Sequence, residues 1–293
     1  MEISKLGNNL LDPNNKLFEI LKQNPPIWWR KLKEDNDLYI EVRKNNIIEA
    51  YYNGGRLAEI KYNSRNKDLS VKTHPKYLGH DNVSETRFYR ISTRNGKTSH
   101  DAIYQECKEE IEKDPGILKK NIIKFYSGVS DGENTLEKLI QGTLILHNRN
   151  KYIDSEFAHR FYNEERKTIR IDLVGIENNK LYFEELKRVI DSRQSDTEIL
   201  TQMKEYSQFI DANAKPLEDY YKTLYIIKQS LSLPVPKISD IQDLKIDKIP
   251  RLIICQNYNK ISKSRLNRIK NIEEILKVNH LKYQILKDRQ GVN

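Results

Sequence analysis

The sequence has few cysteines and no long apolar run, and both absences exclude classes of protein. The only two cysteines, Cys107 and Cys255, are far apart and form no Cys-x-x-Cys pair. This spacing argues against a disulfide framework and against a thiolate zinc site. No apolar run approaches the roughly 18 residues that a membrane helix needs, and the opening MEISKLGNN lacks the apolar core of a secretory signal. We therefore expect a cytoplasmic protein that makes no membrane contact.

Charge of one sign is in excess. The 293 residues include 51 lysines and arginines against 42 aspartates and glutamates, a net charge of +9. A basic balance is typical of proteins that meet polyanions. An AT-rich coding sequence, which inflates lysine and asparagine, is an equally good source of the bias. The charge favours a nucleic-acid partner without locating it.

The first part of the chain predicts a small domain of mixed structure. Residues 1–36 have the spacing of a short helical lead, and residues 37–73 alternate as about four strands of a small antiparallel sheet. The tyrosines and arginines of this sheet either stack on nucleic acid or pack its half-buried face. Residues 101–113 predict a charged helix. The glycine-rich stretch 127–134 then separates an N-terminal domain, 1–126, from a second domain, 135–293.

The second domain alternates between helical and strand patterns. Residues 135–165 predict one long helix or two helices, residues 168–187 a strand hairpin, and Ser195 begins a capping box for the next helix. A further helix, a buried strand, a basic amphipathic helix and a short strand complete the order, over 217–231, 251–255, 264–278 and 282–287. This order indicates an α/β domain with a mixed sheet.

The hairpin carries acids where a sheet normally buries aliphatic residues. If Asn178 and Asn179 are the two central residues of its turn, Asp172 faces Glu185 on the opposite strand. Like charges opposed in this way are destabilising, so a cation is expected to offset them. Alternation places Lys187 on the same face as Glu185. A three-residue loop would shift the pairing by one residue, and Asp172 would then no longer face Glu185.

Four motifs follow one another in this second half. They are Glu156 on the predicted helix, Asp172 on the first strand, Glu185 with Lys187 as Glu-x-Lys on the second strand, and Gln202 with Tyr206 as Gln-x-x-x-Tyr on the next helix. In this order they resemble the PD-(D/E)XK nuclease superfamily, and within it the RecB-like branch. The resemblance covers about residues 135–290. The chain departs from it in having Ile171 before the aspartate and no glycine shortly ahead, and it lacks cysteines for an iron–sulfur cluster.

The resemblance implies a restriction-endonuclease-like mixed sheet flanked by helices, and a nuclease that uses Mg²⁺, with Mn²⁺ able to substitute. Carboxylates are the ligands that Mg²⁺ prefers, and the metal would supply the nucleophilic water and neutralise charge. The expected metal ligands are Asp172, Glu185, Glu156 and the backbone carbonyl of Leu186. Lys187 would orient the water or stabilise developing charge, so that Asp172, Glu185 and Lys187 form the catalytic set.

The flanking residues have supporting roles in this interpretation. Gln202 and Tyr206 would contact the phosphate backbone or brace Lys187. Lys263, Arg265 and Arg268, on the basic helix, would follow a phosphate backbone. Each has a plainer alternative as a surface or core residue, and Glu156 could pair with Arg160 on a solvated face. Asp172 and Glu185 could likewise form a surface ion network, which contributes little to stability.

The leading hypothesis is a metal-dependent nuclease, plausibly an endonuclease, that hydrolyses DNA in genome defence, such as antiviral defence, or in repair. The N-terminal domain would then select the substrate, a partner protein or a second copy of the chain. Two alternatives stay open. The first is a nuclease-like subunit that has lost catalysis and that binds nucleic acid or supports assembly. The second is a nuclease that acts on RNA.

Overall fold

The computed structural model describes residues 10–80, 86–94, 97–127, 132–160, 168–188, 196–255 and 262–286. The chain divides into two compact units. The first contains residues 11–146 and 230–233, and the second contains residues 1–10, 147–229 and 234–293. Together they form a mixed α/β chain in which antiparallel and mixed sheets are flanked by helices.

The first unit contains five helices, seven strands and two short 3-10 turns among its described residues. The helices are α1 (Lys16–Gln23), α2 (Ile27–Glu34), α3 (Lys108–Lys113), α4 (Pro115–Ser127) and α5 (Gly132–His147). The strands are β1 (Tyr39–Arg43), β2 (Ile47–Tyr52), β3 (Gly55–Asn63), β4 (Asp68–Thr73), β5 (Tyr89–Arg94), β6 (Lys97–Ala102) and β7 (Gln105–Glu106). Strands β1, β2, β3, β4 and β7 form one antiparallel sheet, and β5 pairs with β6 in a separate two-stranded sheet.

The turn between β2 and β3 explains why α5 groups with the first unit. Gly54 has φ +78°, which favours glycine, and a Cβ there would lie 2.7 Å from the backbone carbon of Lys138 on α5. Only a residue without a side chain permits this approach. The contact binds α5 to the N-terminal sheet, although the sequence analysis assigned residues from 135 onward to the second domain. Residues 128–131 of the predicted linker lie outside the described residues.

The two arginines of the N-terminal sheet pair with the buried Glu49. Glu49, 9% exposed, accepts a hydrogen bond from Nε of Arg43 at 3.1 Å and pairs with the guanidinium of Arg56. Tyr39 and Tyr51 are buried and stack with ring centroids 5.0 Å apart. These contacts favour the packing interpretation of this sheet, because its arginines are neutralised and its stacked tyrosines are enclosed.

The second unit contains three helices and six strands among its described residues. The helices are α6 (Asp196–Ala212), α7 (Ala214–Ser230) and α8 (Lys263–Val278). The strands are β8 (Tyr152–Arg160), β9 (Thr168–Glu177), β10 (Lys180–Arg188), β11 (Lys245–Ile246), β12 (Arg251–Cys255) and β13 (Lys282–Leu286). The end of α7 and the end of α5 lie at the unit boundaries.

These strands form one mixed sheet in the order β13-β12-β10-β9-β8, with β11 paired to β10. Strands β8, β9 and β10 are antiparallel neighbours, whereas β12 runs parallel to β10 and to β13. Helices α6 and α8 pack together over Leu252 and Ile254 of β12. Since Leu252 is registered with Glu185, both helices cover the face of the sheet that carries Glu185.

Two predictions about secondary structure were wrong. Residues 152–160 form strand β8 rather than a helix; Ile153 and Phe157 are four residues apart, a spacing that fits a helix and a strand alike, and the strand is irregular between Tyr152 and Asp154. Residues 101–113 are not one helix, since they contain the end of β6, the two-residue strand β7 and the short helix α3. Ser195 of the predicted capping box lies outside the described residues. No helix in the described ranges is long and apolar enough to cross a membrane.

Candidate active site

The turn of the β9–β10 hairpin sets the register of the site. Asn178 and Asn179 both have positive φ, 50° and 58°, as a two-residue hairpin turn of this type requires. Glu177 pairs with Lys180, and the register continues without a break as far as Leu173 and Glu184. The predicted register is therefore confirmed over these pairs, and its next step sets Asp172 opposite Glu185.

Asp172 and Glu185 are held close to each other by the strand between them. The backbone N–H of Leu186 donates a hydrogen bond to Oδ2 of Asp172 at 2.8 Å. Glu185 is 3% exposed, and Leu186 is fully buried. Part of the Asp172 residue reaches the surface, but protein surrounds its carboxylate. The hairpin thus encloses two carboxylates on one face.

This enclosure changes the acidity of Asp172. Burial raises its pKa well above the usual range of an aspartate, and the neighbouring charge of Glu185 raises it further. The Leu186 N–H and the Lys187 ammonium act in the opposite direction but do not outweigh them. The Asp172 carboxyl therefore holds its proton more tightly than a solvent-exposed aspartate does.

Lys187 lies on the same face and binds the second carboxylate directly. Its Nζ is 2.5 Å from Oε1 of Glu185, and only 11% of its side chain is exposed. The two residues are two positions apart on β10, so alternation puts them side by side. The structure thus brings together Asp172, Glu185 and Lys187 as the sequence analysis predicted.

Glu156 joins this group from the third strand. On β8, Ser155 is registered with Leu173 and Phe157 with Ile171, so Glu156 lies at the level of Asp172. The charge of Glu156 contributes to the raised pKa of Asp172, which places the two groups near each other. Three acidic residues therefore stand in one row across β8, β9 and β10.

The backbone at Glu156 is strained. Its φ of +49° lies in the left-handed region, which residues other than glycine seldom adopt and which costs on the order of 1–3 kcal/mol. Strain of this kind is found at functional sites more often than elsewhere. Glu156 was predicted to lie on a helix and lies on strand β8 instead, because a strand with this irregularity has no clean alternation.

Helix α6 braces the two central strands through its polar pair. Nε2 of Gln202 donates to Oε1 of Glu185 at 2.9 Å, and it also lies 2.7 Å from the hydroxyl of Tyr206. That hydroxyl in turn donates to the backbone carbonyl of Arg170 on β9. Burial, and then the charges of Glu185 and Asp172, raise the pKa of Tyr206, so its hydroxyl stays protonated and able to donate. Gln202 and Tyr206 therefore connect α6 to both carboxylate-bearing strands.

The basic residues predicted to track a phosphate backbone lie on α8. Lys263 is exposed, and Arg265 and Arg268 are partly buried. The same helix buries Ile269 and Ile272 in the cluster that it shares with α6. These three basic residues are therefore on the same side of the sheet as the carboxylates, while their contact with nucleic acid stays a prediction.

The sequence analysis missed the polar contacts that fix β8. The hydroxyl of Tyr221 on α7 donates to Oδ2 of Asp154 at 3.2 Å, and Nζ of Lys228 donates to the carbonyl of Ile153 at 2.6 Å. Asp154, Tyr221 and Lys228 are all buried. A signal was available, since Asp154 directly follows the apolar pair Tyr152 and Ile153, and an aspartate that is buried beside them needs a partner. These contacts hold the strand that carries Glu156.

The opposite face of β10 has a different composition. Glu184, also 3% exposed, accepts a hydrogen bond from the hydroxyl of Tyr152 at 2.8 Å and lies 3.6 Å from Nζ of Lys151. The guanidinium of Arg251 stacks over the Tyr182 ring, 3.8 Å from its centroid. No acid is registered opposite Glu184, whose partner on β9 is Leu173.

The donor set is suited to a hard divalent cation. Three carboxylates lie at one level of the sheet, and a bound cation would offset their mutual repulsion. The described residues contain no group of three or more His, Cys, Asp or Glu side chains arranged tightly enough to enclose a metal by themselves. Metal binding would therefore combine Asp172 and Glu185 with a backbone carbonyl, for which Leu186 is the predicted donor, and with water.

The chain was also compared with known proteins. Neither the family models, nor the curated proteins, nor the solved structures contain a match to it.

Proposed function

We propose that the protein is a metal-dependent nuclease that hydrolyses phosphodiester bonds of DNA. The observation that carries the proposal is the group of acids on β8, β9 and β10, in which Glu185 and Glu156 both influence Asp172, the Leu186 N–H binds Asp172, and Lys187 binds Glu185. The same motifs in the same order underlie the proposed likeness of the second unit to the PD-(D/E)XK nucleases and to their restriction-endonuclease-like fold.

Mg²⁺ is the proposed cofactor, and Mn²⁺ is expected to substitute for it. When bound, the cation would generate the nucleophilic hydroxide and neutralise charge on the phosphate. Asp172 and Glu185 would hold it, with the Leu186 carbonyl as a further ligand, and Glu156 would join the set through a bound water. The raised pKa of Asp172 supports this assignment, because a cation offsets the repulsion between these two carboxylates.

The remaining residues position the reacting groups. Lys187 is a general acid–base or charge-stabilising group, since its ammonium lies beside Glu185 within a largely enclosed site. Gln202 and Tyr206 fix the Glu185 carboxylate and the backbone of β9, which keeps the two acids at a constant separation.

DNA is the proposed substrate because the chain has a net charge of +9 and because the motifs resemble those of DNA nucleases. A role in genome defence or repair, and a cytoplasmic location, extend the same resemblance. The first unit would select the substrate or a partner. RNA as the substrate, or binding without catalysis, is an outcome of the experiment that follows.

The test is a cleavage assay on plasmid, linear and single-stranded DNA and on RNA, in Mg²⁺, Mn²⁺ or EDTA. Wild type, Asp172→Ala and Lys187→Ala are compared with Glu184→Gln, which alters a buried glutamate of the same strand outside the site. We expect metal-dependent cleavage of DNA by wild type and Glu184→Gln, and loss in the other two variants.

Other outcomes have distinct meanings. Equal cleavage by wild type, Asp172→Ala and Lys187→Ala would refute the site assignment. Binding of DNA without cleavage in every metal would identify a nuclease-like subunit that has lost catalysis. Cleavage confined to RNA would keep the site and change the substrate.

A further inference from the structure

Strands β5 and β6 form a ribbon of unusual exposure. They pair with each other over six registered positions, from Tyr89 with Ala102 to Arg94 with Lys97, and within the described residues they join no other sheet. Residues 90–93 and 97–101 are all exposed. A sheet normally buries at least one face, whereas this ribbon presents both of its faces to solvent.

Only the base of the ribbon is anchored. Phe88, which precedes β5, is 4% exposed, and its carbonyl accepts a hydrogen bond from the N–H of Ile103 at 2.6 Å. Tyr89 is half-buried and meets His74 edge-on, with centroids 6.4 Å apart. An isolated hairpin is at best marginally stable in water. The outer part of the ribbon therefore gains little from packing, and its residue types need another explanation.

One face of the ribbon is a row of polar side chains. Arg90 and Ser92 on β5 share this face with Asp101, Ser99 and Lys97 on β6, and Asp101 is registered directly opposite Arg90. The two serine hydroxyls lie 2.7 Å apart. Arginine, lysine and serine are among the side chains that contact phosphate oxygens of nucleic acids.

The ribbon and its base are also basic. The segment 86–102 contains four arginines and lysines and one acid, Asp101. Arg90 and Lys97 are exposed, in contrast to Arg43 and Arg56 of the larger sheet, which bind Glu49. With three arginines and lysines on the strands against the single acid Asp101, the ribbon therefore offers net positive charge to a partner.

We propose that the β5–β6 ribbon is a binding element for duplex DNA. The choice of nucleic acid among polyanions rests on the nuclease proposal. A duplex fits better than a single strand for two reasons. The major groove admits a two-stranded β-ribbon. Single-strand binding relies on exposed aromatic platforms, and the exposed residues of this ribbon include no tyrosine, tryptophan or phenylalanine.

The test measures binding without cleavage. The full chain carrying Asp172→Ala, kept in EDTA, is titrated against a fluorescent mixed-sequence duplex and against one of its single strands, at salt concentrations between about 50 and 200 mM. The test variant adds Arg90→Gln and Lys97→Gln. Its matched control adds Lys22→Gln and Arg30→Gln, which remove the same charge from exposed positions of α1 and α2.

We expect the ribbon variant to bind the duplex roughly tenfold or more weakly than the parent at about 100 mM salt, with the slope of log Kd against log salt reduced by about 1 to 2. The matched control should stay within about twofold of the parent, because its charges lie away from the contact. The charge-preserving pair Arg90→Lys and Lys97→Arg should restore binding, which shows that loss does not reflect a misfolded hairpin.

Three results would overturn the proposal. These are an equal loss in the ribbon variant and the matched control, unchanged binding by the ribbon variant, and a loss as large for the single strand as for the duplex. The nuclease proposal is judged separately, by cleavage with the wild type in Mg²⁺. Ribbon-dependent binding without any cleavage would refute the nuclease and leave the binding element standing, and cleavage with ribbon-independent binding would do the reverse.

Discussion

Glu184 and Glu185 are consecutive residues of one strand, and both are 3% exposed. They point to opposite faces of the sheet and meet different surroundings. Glu184 accepts a hydrogen bond from Tyr152, has Lys151 nearby and faces Leu173 across the hairpin. Glu185 is bound by Lys187 and Gln202, but its side of the hairpin also carries Asp172.

The difference shows that burial alone does not mark a functional carboxylate. On the Glu184 face, one acid meets a hydroxyl and a cation, so the protein itself resolves the charge. On the Glu185 face, two acids lie close together beside Lys187, and burial together with the charge of Glu185 raises the pKa of Asp172. A buried carboxyl with a pKa raised in this way marks a candidate functional site, because a bound cation would stabilise its charged form.

The largest expected difference between the two faces is in catalysis. We expect Glu185→Gln to lower the rate of DNA cleavage by a factor on the order of 10³ or more, since it removes a charge from the reacting centre. Glu184→Gln, the same chemical change one residue away, should keep a rate within a few-fold of wild type per folded molecule. Single-turnover rates on plasmid DNA measure both. Equal losses would mean that the two faces do not differ in function.

A smaller loss is expected from Lys187. Lys187→Ala should reduce the cleavage rate roughly 10²-fold, the usual scale for one charge-stabilising or proton-transferring group. Lys187→Arg keeps the charge but changes its shape, so it should recover part of the rate. A cleavage rate that does not depend on residue 187 would contradict a catalytic role for Lys187 and would assign it only the ion pair with Glu185.

The comparison reverses for stability. Glu184→Gln should lower the free energy of unfolding by about 1–2 kcal/mol, because a buried charged acceptor of the Tyr152 hydroxyl is replaced by an amide beside Lys151. For a chain of this size that corresponds to roughly 2–4 °C in melting temperature per kcal/mol. Thermal unfolding followed by circular dichroism measures it. A Glu184→Gln protein as stable as wild type would show that the contacts of Glu184 with Tyr152 and Lys151 do not stabilise the fold.

Removing the acid Asp172 from the other face should raise the free energy of unfolding rather than lower it. The pKa of Asp172 is raised above its ordinary value of about 3.9. As pH rises above about 3.9, the unfolded chain loses this proton and the folded chain keeps it, so wild-type stability falls. Asp172→Asn has no such group, and its amide oxygen can still accept the Leu186 N–H.

In EDTA at neutral pH, Asp172→Asn should therefore melt a few degrees above wild type, at about 2–4 °C per kcal/mol. The gap should close as the pH is lowered to about 4, where both chains carry a neutral side chain at position 172. Melting curves over this pH range measure the effect. A variant less stable than wild type at every pH would contradict the raised pKa.

The sequence was sufficient to predict the hairpin and its register. Two adjacent asparagines that tolerate positive φ set the turn, and counting outward from Asn178 and Asn179 gives the pairing as far as Glu184. Alternation then puts Lys187 beside Glu185. These are local rules, with a fixed period of two residues, so no knowledge of the rest of the fold was required.

The sequence was insufficient where structure depends on distant residues. Strand β8 looked helical because its alternation is broken, and no sequence pattern predicts the positive φ of Glu156. The partners of Glu184 lie on other strands of the sheet, and no sequence spacing reveals them. The β5–β6 ribbon was likewise invisible as a feature, since only the fold shows that neither of its faces is covered.

Metal binding by Asp172 and Glu185 is tested most directly by the melting temperature in Mn²⁺ and in Mg²⁺ relative to EDTA. Wild type and Glu184→Gln should both gain stability as the metal is titrated, by a similar amount that follows the occupancy of the site. Glu185→Gln should gain clearly less. Equal gains in all three proteins, or none in any, would contradict a metal site between these two carboxylates.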